Sequence, residues 1–137
     1  MANQESANTA VDNNRSTELQ NLLTAAREAD ARYEHETAVA YYTAALELPD
    51  LTAQERYGAL AGRTHAYSDW GYHAQATDDW LTLIDLARKT SDPAFLAETI
   101  VSFGVGFPDY GLVEKLGREA LPLARNLADK RLLAQAK

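Results

Sequence analysis

The sequence has no cysteine, few basic side chains and no apolar run that approaches a membrane span. Without cysteine there is no disulfide framework, no thiolate zinc site and no cysteine nucleophile. A reducing compartment fits that usage, and the cytoplasm is the expected location. A spanning helix needs about 20 consecutive apolar residues, so no membrane partner is expected. Residues 1–15 lack the apolar core of a secretion signal, and none is read there. Lys and Arg number 13 against 20 Asp and Glu, for a net charge of -7. Phosphate backbones require a net basic face, so nucleic acid is not an expected partner.

Sequence signatures of chemistry are equally scarce. There is no His-x3-His or His-x2-His spacing, no glycine-rich phosphate loop and no GxSxG turn. The imidazoles are His35, His65 and His73. His65 and His73 flank one loop and could approach each other near Asp69, a set too small to complete a structural zinc site. Asp78 and Asp79 point to different sides of a helix, which does not make an acid/base dyad. No catalysis, no metal and no cofactor are therefore expected.

What remains is ordinary globular usage, 46% hydrophobic and 24% charged, in a chain of 137 residues that can form one domain or one short array. Residues 1–15, rich in Asn, Ala, Ser and Gln, carry too little apolar weight to offset ordering entropy and are expected to form a disordered polar tail. From Ser16, the expected N-cap, Leu19, Leu22, Leu23, Ala26 and Ala29 form a helical stripe. Ala38, Tyr42, Ala45 and Leu48 form a second, closed by Pro49 and Asp50. Thr52 and Glu55 have capping-box spacing ahead of a helix with Tyr57, Leu60 and Tyr67 inward. Ala76, Trp80, Leu83 and Ala87 make a fourth stripe, with Asp78, Asp79 and Asp85 on its wet side. Asp92 then offers an N-cap ahead of Pro93 at the first helical position. Leu96, Ile100, Phe103 and Phe107 follow. Val113, Leu116, Ala120 and Ala124 form a sixth stripe, which Pro122 should kink. Residues 128–137 close the chain as a basic helix.

The stripes repeat. Ala38, Tyr42 and Ala45 recur as Ala76, Trp80 and Leu83, and Leu86-Ala87-Arg88 recurs as Leu123-Ala124-Arg125. Trp70-Gly71 matches Tyr110-Gly111, aromatics placed to plug gaps between repeats. On these residues the chain resembles the tetratricopeptide-repeat family, with a period of about 37 to 40 residues. It departs from the family pattern at Ala29, Arg63 and Thr64. Similar long repeats occur in bacterial signalling proteins. The resemblance implies an all-α, right-handed solenoid of three helix-turn-helix repeats, about 16–50, 52–91 and 92–127, plus a C-terminal capping helix.

It also implies a use. Such arrays present a concave groove, so the expected function is non-catalytic binding of a peptide or helix of a protein partner. By resemblance the groove is lined by Gln20, Leu23, Arg27, Gly58, Ala61, His65, Glu98, Val101 and Val105. Too few of these are basic for a clamp on a carboxylate tail. Gly58 and Gly62 lie one turn apart inside a helix, each at a cost of about 1 kcal/mol against alanine. That spacing reads as a smooth ridge for a neighbouring helix, or as a floor for a ligand backbone. Two alternatives stand beside the scaffold. One is an N-terminal regulatory or sensor module of a larger signalling protein, favoured by Leu132, Leu133 and Ala136, which exceed what one covered face needs. The other is weak self-association of the acidic body with the basic end.

Overall fold

A computed structural model describes residues 2–90, 92–104, 114–119, 121–122 and 125. Every element in it is helical, and there is no strand among the described residues. The elements are α1 (Ala2–Ala31), α2 (His35–Leu46), α3 (Ala53–Trp70), α4 (His73–Lys89) and α5 (Pro93–Gly104). Residues 114–119 are also helical. They fall into two compact units, Met1–Tyr72 and His73–Lys137, with the boundary inside the expected second repeat.

In the first unit α1 packs on α2 and α2 on α3, and α1 also touches α3. The interfaces are made of small residues: Ala26, Ala29, Ala38, Ala45, Ala59 and Ala66 are buried with Leu19, Leu23, Val39 and Tyr42. Short side chains let helix axes approach closely. Arg15 Nη1 donates to Glu55 Oε1 at 3.3 Å and to the carbonyl of Asp50, which ties α1 to the start of α3. Near the other end, Asp30 approaches Asp69. The two helices thus run side by side in one direction, offset by about one repeat period.

The helix α1 begins at Ala2, so Ser16 is an interior residue and not the expected cap, and the backbone of 2–15 is helical. The physical reason is local: no glycine or proline interrupts 2–31, and Ala2, Ala7 and Ala10 belong to the strongest helix former.

The ends of α1 and α3 share one motif. Tyr33 takes a left-handed conformation with φ 64°, its N–H donating to Asp30 O at 3.0 Å and that of Glu34 to Ala29 O at 2.9 Å. Gly71 does the same with φ 89°, its N–H donating to Ser68 O at 3.1 Å and that of Tyr72 to Tyr67 O at 2.9 Å. Both are Schellman ends. The Tyr67 and Tyr72 rings, 6.4 Å apart, supply the apolar contact that accompanies the motif. The Trp70 ring lies 4.1 Å from that of Tyr72 at a tilt of 42° and packs against the core.

α3 opens with the capping box read from its sequence. Glu55 N–H donates to Thr52 Oγ1 at 3.0 Å and Thr52 N–H to Glu55 Oε1 at 2.9 Å. The Glu55 carboxyl is held below the usual carboxylate range, chiefly by that backbone N–H of Thr52 and further by Arg15. Arg63 and Thr64 have structural work here. Arg63 donates to Thr43 Oγ1 at 3.2 Å and lies over the Tyr67 ring. Buried Thr64 donates to Leu60 O at 2.8 Å.

The second unit has a bulkier core. Trp80, Leu83, Ile84 and Ile100 are buried with Leu116, and Trp80 Nε1 donates to Thr99 O at 3.3 Å. Asp92 caps α5 as expected, its Oδ1 accepting from Ala94 N at 3.1 Å and Phe95 N at 3.2 Å. Arg88 makes a forked contact with Glu119, 2.8 Å at its shortest. That carboxylate holds the Arg88 guanidinium more firmly protonated. Asp78 and Asp85 are exposed as expected, but Asp79 is 6% exposed, because the inward stripe of Ala76, Trp80 and Leu83 also takes the position three after Ala76. Leu121 and Pro122 are helical. Phe107, Tyr110 and the expected helix at 128–137 lie outside the described residues.

Candidate functional site

The expected groove divides between the two units. Gln20 and Arg27 are exposed on α1, and Gly58 and His65 are exposed on α3 with Ala61 half-buried between them. All five lie on the stretch where α1 and α3 run together. Leu23 does not belong with them: it is 7% exposed and packs in the core of the first unit, since it shares the inward stripe with Leu19 and Ala26. Glu98 is exposed on α5, in the second unit. The side chain of Val101 and all of Val105 lie outside the described residues.

The two helical glycines part company. A methyl group built on Gly62 would fall on the Tyr42 ring, whereas one on Gly58 would meet nothing within 4 Å. Gly62 is therefore a notch that seats Tyr42, which is the ridge reading. Gly58 has no such neighbour and leaves bare backbone on an exposed helix face. Burial raises the pKa of the Tyr42 phenol, the Asp30 carboxylate raises it further, and Arg27 opposes both. The ring thus stays a neutral phenol between α1 and α3.

Above Tyr42 lies a cluster that sequence reasoning missed. His35 Nδ1 is 2.9 Å from Asp30 Oδ1, and Asp69 joins them from the last turn of α3. One ligand atom from each of the three lies within 4.8 Å of the others. Asp30 and His35 are half-buried and Asp69 is exposed. The Schellman end of α1 makes this geometry, because the tight reversal at Tyr33 brings the first residue of α2 back over Asp30. Tyr33 itself is 83% exposed and sets its ring edge-on to His35 at 6.2 Å. The sequence alone groups Asp69 with His65 and His73. The signal for its true neighbours was the repeat offset, which places Asp69 beside Asp30 once α1 and α3 are laid in parallel. The chain matches no family model, no curated protein and no solved structure.

Proposed function

We propose that the protein is a non-catalytic interaction module that binds a peptide or helix of a protein partner on the face carried by α1 and α3. The observation that carries this reading is Gly58, an exposed glycine inside a helix with open space where its side chain would be. Glycine there costs about 1 kcal/mol against alanine, and no neighbouring helix requires it. A ligand backbone lying close to α3 would offset that cost. Gln20, Arg27 and His65 supply polar groups on the same pair of helices.

The proposal includes a solenoid of helix pairs similar to tetratricopeptide repeats. The parallel run of α1 and α3, bridged by Arg15 and Glu55 at a separation of 40 residues, supports it, as does the shared Schellman end. The test is affinity capture from lysate of the source organism at physiological salt. The native chain is compared with an Arg27→Glu, His65→Glu double variant and with Gly58→Leu, each shown to be folded by circular dichroism. A partner held by the native chain and lost from both variants supports the face. Equal capture by all three overturns it.

A further inference from the structure

Where α1 ends, α2 begins and α3 ends, two carboxylates and one imidazole converge on a single point of the surface. We propose that Asp30, His35 and Asp69 bind a divalent cation of the zinc, cobalt and nickel group, with water completing its coordination.

The donor set selects that class. Imidazole suits zinc, nickel and copper, carboxylates add charge, and no soft thiolate is present in the sequence. The spacing fits as well. Two ligands at about 2.1 Å from one tetrahedral ion stand about 3.4 Å apart, and His35 Nδ1 and Asp30 Oδ1, now hydrogen-bonded at 2.9 Å, need to part by only about 0.5 Å to admit it. Asp69 lies within 4.8 Å of both, so a small closing movement of an exposed side chain completes three ligands. Charge points the same way. Two carboxylates this close repel each other, and a dication between them removes the repulsion. Half-burial of Asp30 and His35 fixes two ligands on packed helix ends, while exposed Asp69 leaves an entry path and open positions for water. The bound ion would fasten the last turn of α3 to the α1–α2 reversal.

The test uses cobalt(II) as a probe, read by its visible absorption, with zinc competition and thermal melts of the same samples. The native chain is expected to take up cobalt saturably in the micromolar range, to lose the band when zinc is added, and to melt at higher temperature with either ion. Asp69→Asn, at an exposed position, and His35→Gln are each expected to weaken uptake more than about tenfold. His65→Gln and His73→Gln are expected to leave it unchanged. The proposal is overturned by no saturable band in the native chain, by uptake that survives Asp69→Asn and His35→Gln, or by loss of uptake in the His65 or His73 variants. In any of those cases the His35 and Asp30 contact is a hydrogen bond of the helix end and nothing more.

Discussion

α1 and α3 lie side by side in the first unit and finish in the same backbone motif, but they are built from different residues. Where α3 reverses at Gly71, α1 reverses at Tyr33. Where α3 begins with a Thr52 and Glu55 capping box, α1 runs on through Asn14. Where α3 has Gly58 and Gly62, α1 has Gln20 and Thr24, both exposed. The difference teaches that position in the stack decides which residues the helix can use. α3 receives the Tyr42 ring of α2 and has to make room for it, whereas the equivalent place on α1 faces water.

The sharpest way to break this comparison is to remove the room. Gly62→Ala puts a methyl group onto the Tyr42 ring, and the ring is 5% exposed with little space to retreat. Overpacking of this kind costs about 1–3 kcal/mol. Urea melts followed by circular dichroism should show that loss. The double variant Gly62→Ala, Tyr42→Leu should recover part of it, so that the two costs are not additive. A neutral Gly62→Ala would mean that α2 and α3 are packed more loosely than the notch implies. Alanine at the equivalent position of α1, Thr24→Ala, should change stability by less than about 0.5 kcal/mol, as exposed sites do.

A smaller effect separates the two helix ends. A left-handed conformation costs a residue with a side chain about 1–2 kcal/mol, and glycine escapes it. Gly71→Ala should therefore lower stability by about 1 kcal/mol. Tyr33→Gly should raise it, by less, because glycine also loses more entropy on folding. If both changes lowered stability, Tyr33 would be held in place by more than its backbone, and its edge-on contact with His35 would be the first candidate.

The start of α3 gives a comparable magnitude with a pH signature. Thr52→Ala should cost about 1 kcal/mol, the usual worth of an N-cap hydroxyl. Glu55 has its pKa lowered in the folded chain, so its contribution is complete above the ordinary carboxylate range and is lost as pH falls through the folded value. The largest cause of that shift is the backbone N–H of residue 52, which alanine keeps. Thr52→Ala should thus retain most of the acid-side slope in melting temperature, and Glu55→Gln should flatten it. Loss of the slope in Thr52→Ala would assign the shift to the hydroxyl.

These contrasts also show what could be read in the sequence. Capping signals at Thr52 and Asp92, the inward stripes and the loop between His65 and His73 were legible, because each rests on chemistry within a few residues. The reversal at Tyr33 was not, since tyrosine carries no signal for positive φ and the backbone hydrogen bonds of the α1 end hold it there. Asp79 was misplaced because the inward stripe of α4 is wider than one row. The Asp30, His35 and Asp69 cluster was hidden for a different reason: it depends on the offset between two parallel helices, which the apolar pattern gives only approximately. Leu23 shows the opposite case. A resemblance to tetratricopeptide repeats implies a groove position for it, while its own stripe places it in the core, where it packs.

A substitution expected to raise stability bears most directly on function. Gly58→Ala adds a methyl group that meets no atom within 4 Å on an exposed face of α3. It replaces the poorer helix former by the best one, so stability should rise by about 0.5–1 kcal/mol. The same rise is expected for Gly58→Gln, which gives α3 the residue that α1 carries at Gln20, reduced by glutamine's somewhat lower helix propensity. A partner lying on the α1 and α3 face would bind both variants more weakly than the native chain, and Gly58→Gln the weaker of the two, because its side chain projects further. A fall in stability on Gly58→Ala would instead mean that the bare backbone serves the fold. The α1 and α3 face would then lose the observation that singles it out as a binding surface.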